Sequence, residues 1–181
     1  MPIGVDIFSG AGGLSLGAEM AGFEIRFAVE HDASAAATYR HNHPNTPVIE
    51  EDIRNVQPLD YLGPNEHVSI VFGGPPCQGF SLSNTMTRNL GNPNNSLFQE
   101  FLRFVQIIQP DWFVFENVEG FMRFEEGRVK KHVEQCFMDM GYNVSSKILW
   151  ASDYGVPQHR NRFFMVGNRL GINFEFPQKN E

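Results

Sequence analysis

An α/β fold, with a mostly parallel sheet and helices on both faces, is what this sequence predicts. Two observations lead there. Apolar runs of strand length alternate along the chain with segments whose apolar residues recur at helical spacing. Strand, helix, strand, helix in that order makes parallel neighbours in one sheet, with functional residues at the carboxyl ends of the strands.

Each element can be justified in turn. "IGVDIF" (3–8) is short, apolar and followed by glycines, a buried strand. "GLSLGAEMAG" (13–22) is a helix ending at Gly22. "FEIRFAVE" (23–30) is the second strand, after which Asp32 can cap a helix running to about Asn42. "PVIEED" (47–52) and "HVSIVFGG" (67–74) are the third and fourth strands. Leu97, Phe101, Leu102, Val105 and Ile108 define a helix closed by Pro110. "WFVFENV" (112–118) is the fifth strand. Val129, Val133, Cys136, Phe137 and Met140 line one face of a helix ended by Gly141. "YNVSSKILWA" (142–151) and "RFFMVGNR" (162–169) close the sheet.

The 181 residues suffice for one domain with a real core. The sequence is 41% hydrophobic and 19% charged, an ordinary globular balance. No stretch approaches a membrane span, and no basic stretch precedes an apolar run at the N-terminus. Two cysteines, Cys77 and Cys136, form neither a zinc pattern nor a disulfide framework, which favours a reducing, cytoplasmic setting. The formal net charge of −7 argues against a free-standing duplex binder.

Three motifs carry chemistry. In "DIFSGAGGLSLG" (6–17), Gly10, Gly12 and Gly13 fall between a strand and a helix, where glycine permits a tight turn and close approach to a ligand. Glu30, ending the second strand, can accept hydrogen bonds from ribose hydroxyls; a tight turn and a solvated glutamate is the plainer alternative. Asp52 suits either an adenine amino group or a cap. In "GGPPCQGFSLSN" (73–84), Pro75 and Pro76 stiffen the lead-in to Cys77, and Gly79 to Asn95 has the composition of a loop that can close. That suits a nucleophile, although a small residue in a turn would also fit. In "ENV" (116–118), Glu116 would face the same crevice, or cap a helix. Cys136, on an apolar helix face, is explained by packing.

Together, "FSGAGGLSLG", "GGPPCQGFS", "ENV" and "QHRNR" (158–162) resemble the signature blocks of the DNA (cytosine-5)-methyltransferases, in the family's order and over residues 5–169. The resemblance implies a Rossmann-like S-adenosylmethionine-dependent methyltransferase fold. It implies a cofactor site from Phe8, Ser9, Gly10, Gly12, Gly13 and Leu14, with Glu30, His31, Asp52, Ile53, Gly74, Pro76 and Leu97. S-adenosylhomocysteine would be the product. Cys77 would be the nucleophile at cytosine C6, Glu116 the acid at N3, and Arg160 and Arg162 the groups that orient base and loop. Duplex DNA would be the substrate, with the target base flipped out of the stack. Restriction–modification is the usual setting of bacterial members, near the nucleoid.

The resemblance also implies parts that are not here. After the "QHRNR" block the family continues into a target-recognition region, and a last block completes the cofactor pocket; this sequence stops at Glu181. The expectation is one catalytic and cofactor-binding domain over 1–181, a subunit of a split enzyme whose second polypeptide supplies the rest. A Met1 start and the polar ending "PQKNE" suit a complete subunit. That partner is expected to cover an apolar patch near 142–151 and 162–169. A truncated fragment of a longer enzyme, cut at a domain boundary, is the competing explanation of the missing parts; an RNA cytosine-5 methyltransferase fragment and an inactive regulatory subunit are the alternatives for function.

Overall fold

The structure, a computed structural model, describes residues 1–76 and 97–180. Cys77 and the Gly79–Asn95 loop lie outside the described residues. The strands are β1 (Ile3–Ile7), β2 (Glu24–Glu30), β3 (Val48–Glu50), β4 (Ile70–Gly73), β5 (Trp112–Asn117), β6 (Asn143–Trp150) and β7 (Asn161–Asn168). The helices are α1 (Gly13–Met20), α2 (Ala33–Asn42), α3 (Leu97–Ile108) and α4 (Arg128–Asp139).

Among the described residues the strands form one sheet in the order β3-β2-β1-β4-β5-β7-β6. β1 to β5 are parallel neighbours, and β7 runs antiparallel to both β5 and β6. The chain winds outward from β1 in one direction through β2 and β3, then returns to β4 on the other side. The crevice between the ends of β1 and β4 is therefore the switch point at which such sheets bind ligands.

Alternating residues send one face of the sheet into an aromatic core. Phe101 of α3 meets Phe113, Phe115 and Phe137 edge-on, and Phe113 stacks on Phe137 of α4 with ring centroids 3.8 Å apart. All four rings are fully buried, each contributing roughly 2–3 kcal/mol of apolar transfer. On the opposite face α1 and α2 pack against β1, β2 and β3.

Several expectations are corrected here. The third and fourth strands are shorter than predicted. Asp52 accepts a hydrogen bond from the Arg54 N–H and starts a 3-10 turn (Ile53–Asn55), which ends β3 early. Cys136 is only half-buried: Val129, Val133 and Phe137 form the core side of α4, while its thiol stands 3.8 Å from His132 Nε2. The apolar surface expected to be bare near β6 and β7 is partly covered by the chain's own last residues. Phe174 meets Trp112, Phe176 lies over Lys147, and the Tyr154 hydroxyl donates to the Pro177 carbonyl. Val156, Leu170 and Ile172 nevertheless stay about half exposed beside those strands, and α1 also bares Leu16 and Met20, 55% and 82% exposed.

Candidate active site

The carboxyl ends of β1, β2, β4 and β5 carry the predicted residues to one edge of the sheet. β7 begins where β5 ends, because the two are antiparallel and Asn117 pairs with Phe163. That register brings Arg162 beside Glu116.

The first cavity, about 360 Å³, opens at the β1/β4 switch point. Phe8, Glu30, His31, Asp52, Ile53, Gly74, Pro76 and Leu97 all line it, as does Val29. Phe8 has φ +60°, a left-handed conformation rare for a bulky residue, as β1 gives way to the glycine turn. Glu30 accepts the Gly10 N–H at Oε2 and the Asp32 N–H at Oε1, both at 2.8 Å. Its carboxylate thus ties the turn to the end of β2 and keeps a lone pair on each oxygen for a ligand. Asp52 holds the Arg54 side chain as well as its N–H, and the side-chain hydrogen bonds from Arg54 bring its carboxyl down to about 2. Asp52 is therefore the cap, whatever it also does for a ligand.

The second cavity, about 370 Å³, lies at the same edge. Gly13, Leu14, Glu116, Arg160 and Arg162 line it, with Tyr154 and Leu149. Arg162 Nε stands 2.8 Å from Glu116 Oε1. Burial raises the Glu116 carboxyl, against the lowering pull of Arg162 and Arg160. A carboxyl held this way suits a proton donor to a base.

The glycine turn divides its work between the two cavities. Gly10, with φ +56°, faces Glu30. Gly13 opens onto the second cavity rather than the first. A Cβ on Gly12 would land on the His43 ring and lie 2.9 Å from Tyr39. Close approach of the end of α2 requires glycine there. Ser9 is buried, and its hydroxyl has no hydrogen-bond partner among the described residues.

Three further contacts fix the "GGPP" block. A Cβ on Gly73 would land on the Ile7 carbonyl oxygen, so β4 packs against β1 only with glycine there. A Cβ on Gly74 would sit 2.7 Å from Glu116 Oε2. The buried Asn117 donates from Nδ2 to the Pro75 carbonyl at 3.0 Å, while its Oδ1 accepts the Val118 N–H. The "ENV" block thus ties down the "GGPP" block at Pro75, two residues before position 77. Sequence reasoning missed Asn117, Tyr154 and Leu149. The only signal for Asn117 was its place beside Glu116 at the end of a strand.

Residues 4–181 match the family model described as C-5 cytosine-specific DNA methylase. The chain belongs to that family. Membership implies S-adenosylmethionine as the cofactor. The chain is 40% identical over 177 residues to the type II methyltransferase M1.HphI of Haemophilus parahaemolyticus, covering 96% of this chain and 48% of that protein. It is 41% identical over 187 residues to M.AquIA of Picosynechococcus, covering 96% of this chain and 75% of that one. It spans about half the length of most such relatives. The fold superposes on a DNA modification methyltransferase encoded within an E. coli prophage, with a TM-score of 0.79 and 33% identity over 93% of this chain and 47% of that one. Spodoptera frugiperda DNMT2, at 22% identity and a TM-score of 0.74 over 100% of this chain and 54% of that one, shares the fold.

The first cavity fits the nucleoside end of this cofactor. Its volume lies in the range of ligand pockets, it has apolar walls in Phe8, Val29, Ile53 and Leu97, and the acceptor Glu30 stands at its rim. Gly13 and Leu14 continue from it into the cavity that holds Glu116.

Proposed function

We propose that this chain is the catalytic and cofactor-binding domain of a DNA (cytosine-5)-methyltransferase, one subunit of a split enzyme of a restriction–modification system. The Glu116–Arg162 pair, set at one edge beside the glycine turn and the Pro75–Pro76 lead-in, is the observation that supports this reading most. Its substrate is duplex DNA, and it works in the cytoplasm, at the nucleoid.

Each residue has a task. The Cys77 thiolate adds to C6 of a flipped cytosine, forming the S–C bond and moving the C5–C6 π electrons into the ring. Glu116 gives its proton to N3, so the electron pair reaching the ring does not remain as a full anion. Arg162, fixed by Glu116, faces the base and stabilises developing charge at O2, while Arg160 adds positive potential. Bound S-adenosylmethionine supplies the electrophilic methyl group for the activated C5. Loss of the C5 proton to a base then expels the thiolate, and return of the N3 proton to Glu116 restores the ring and the acid.

A second polypeptide supplies target recognition and the rest of the cofactor pocket. Three observations support it: the relatives' greater length, the net charge of −7, and the exposed Leu16 and Met20 of α1. M.AquIA, three quarters of which this chain matches, is itself a shorter protein named as a methyltransferase.

The test is tritium transfer from labelled S-adenosylmethionine to duplex DNA and to tRNA, by the chain alone and with its partner. DNA methylation only in the pair is expected. Transfer to tRNA alone, or full DNA activity by the lone chain, would overturn the assignment or the split. DNA carrying 5-fluorocytosine should trap the pair covalently, and Cys77→Ser should abolish trapping where Cys136→Ser does not.

A further inference from the structure

We infer that His43, just past the C-terminal end of α2, is a positioning residue that aims the Gly13 amide into the cavity of Glu116, Arg160 and Arg162. The inference rests on the methyltransferase reading above.

His43 is buried among groups that fix its ring. Its backbone N–H donates to the Tyr39 carbonyl at 2.8 Å, and its ring lies against Tyr39 with centroids 4.5 Å apart. Nε2 stands 3.0 Å from the Gly12 carbonyl oxygen, and Nδ1 stands 3.0 Å from Glu19 Oε2 on α1. The Gly12 carbonyl can only accept, so the ring meets it as a donor from Nε2.

The Gly12 carbonyl already accepts the Leu16 N–H at 2.9 Å, the first bond of α1. His43 takes its second lone pair. Asn42, the preceding residue, donates from Nδ2 to the Ala11 carbonyl at 2.9 Å. The end of α2 thus grips two successive carbonyls of the turn, while Glu30 grips the Gly10 N–H from the other side.

Peptide planarity converts that grip into direction. In a trans peptide the N–H points opposite to the carbonyl of the preceding residue. Fixing the Gly12 carbonyl toward His43 therefore turns the Gly13 N–H away from α2. Gly13 lines the second cavity, and nothing lies within 4 Å of where its Cβ would be. The amide is presented there as a donor for an acceptor group on the bound cofactor. Gly12 can be only glycine because His43 occupies the space of its Cβ.

Titration calorimetry with S-adenosylmethionine on the assembled enzyme tests this. His43→Phe keeps the ring contact with Tyr39 and loses the donor; its Kd should rise about tenfold. His43→Gln keeps a donor and should recover most of that loss. Exposed Asn42→Ala should weaken binding about threefold without lowering Tm by more than a few degrees. In steady-state assays the loss should appear in KM for the cofactor rather than in kcat. Wild-type affinity in His43→Phe, or equal weakening in His43→Phe and His43→Gln, would overturn the inference. Should His43→Phe fail to fold, wild-type affinity in Asn42→Ala would overturn it. Failure of the unaltered enzyme to bind the cofactor would instead overturn the methyltransferase reading, and this inference with it.

Discussion

Glu116 and Arg162 face each other across β5 and β7, with Oε1 2.8 Å from Nε. The pair is set two residues out of register, because Glu116 itself pairs with Phe164 on β7 and Arg162 is the next residue on the same face. It is not an exposed surface bridge: the side chains are 21% and 25% exposed. Burial pushes the Glu116 carboxyl up and the arginines push it down, with burial the larger cause.

Glu116→Gln should therefore keep cofactor binding and lose ~10²–10⁴-fold in turnover, since an amide has no carboxylic proton to give. The pH profile adds a sign. A raised carboxyl keeps its proton to higher pH, and a rate that needs this proton falls as pH rises past that value. Wild-type kcat should show that alkaline limb, and residual activity of Glu116→Gln should lack it. Near-normal turnover in the variant would make Glu116 a structural partner of Arg162.

Glu30 bridges the glycine turn and the start of α2 through its two oxygens. Glu30→Ala should weaken S-adenosylmethionine binding by about 1–3 kcal/mol, through lost ligand contacts and a loosened turn. Glu30→Gln, which keeps one acceptor, should lose less. Calorimetry reads both, and unchanged affinity in the alanine variant would move the ribose contact elsewhere.

Gly12 and Gly13 are neighbours with opposite tolerances. Gly12 has φ +89° and no room for a Cβ, so Gly12→Ala should cost on the order of 2 kcal/mol or more in denaturant unfolding. Gly13 begins α1 with open space around it, and Gly13→Ala should be neutral or stabilising by up to ~1 kcal/mol. The Gly13 variant should nevertheless bind cofactor less well, because its methyl enters the second cavity.

Asp6 is fully buried in β1, where Ser15 Oγ donates to its Oδ2 at 2.6 Å and Tyr39 Oη lies 2.6 Å from the same hydroxyl. Burial raises its carboxyl from 3.8 to about 8. Between those values the folded chain holds a proton that the unfolded chain has released. Its contribution to stability is whole below about pH 4 and is lost as pH rises toward 8. Asp6→Asn removes this titration, so its Tm should fall less than the wild type's between pH 6 and pH 8.5. Parallel Tm curves would show that Asp6 does not titrate there.

Much of the site was legible in residue order. Strand periodicity placed Glu30 and Glu116 at carboxyl ends, and the proline pair marked the rigid approach to Cys77. Asp32 was recognised as the cap of α2, and its side chain does accept the Ala35 N–H at 2.8 Å. These features are local: a cap, a turn or a strand end is made by residues within a few positions of one another.

What only tertiary structure decided involves residues far apart in the chain. Gly12 has His43 against it, placed there by the packing of α2 against the turn, a demand for glycine that residue order does not reveal. Asn117 reaches back to Pro75, across the β4–β5 neighbourhood. Arg162 meets Glu116 because β7 inserts antiparallel between β5 and β6, an order that no periodicity encodes. Hydrophobic patterning determines which face of a strand is buried; which strand lies beside which is settled by the whole core closing at once. The charge state and reach of Glu116 follow from that closure, since burial and the two arginines act on it only once β5 and β7 are neighbours.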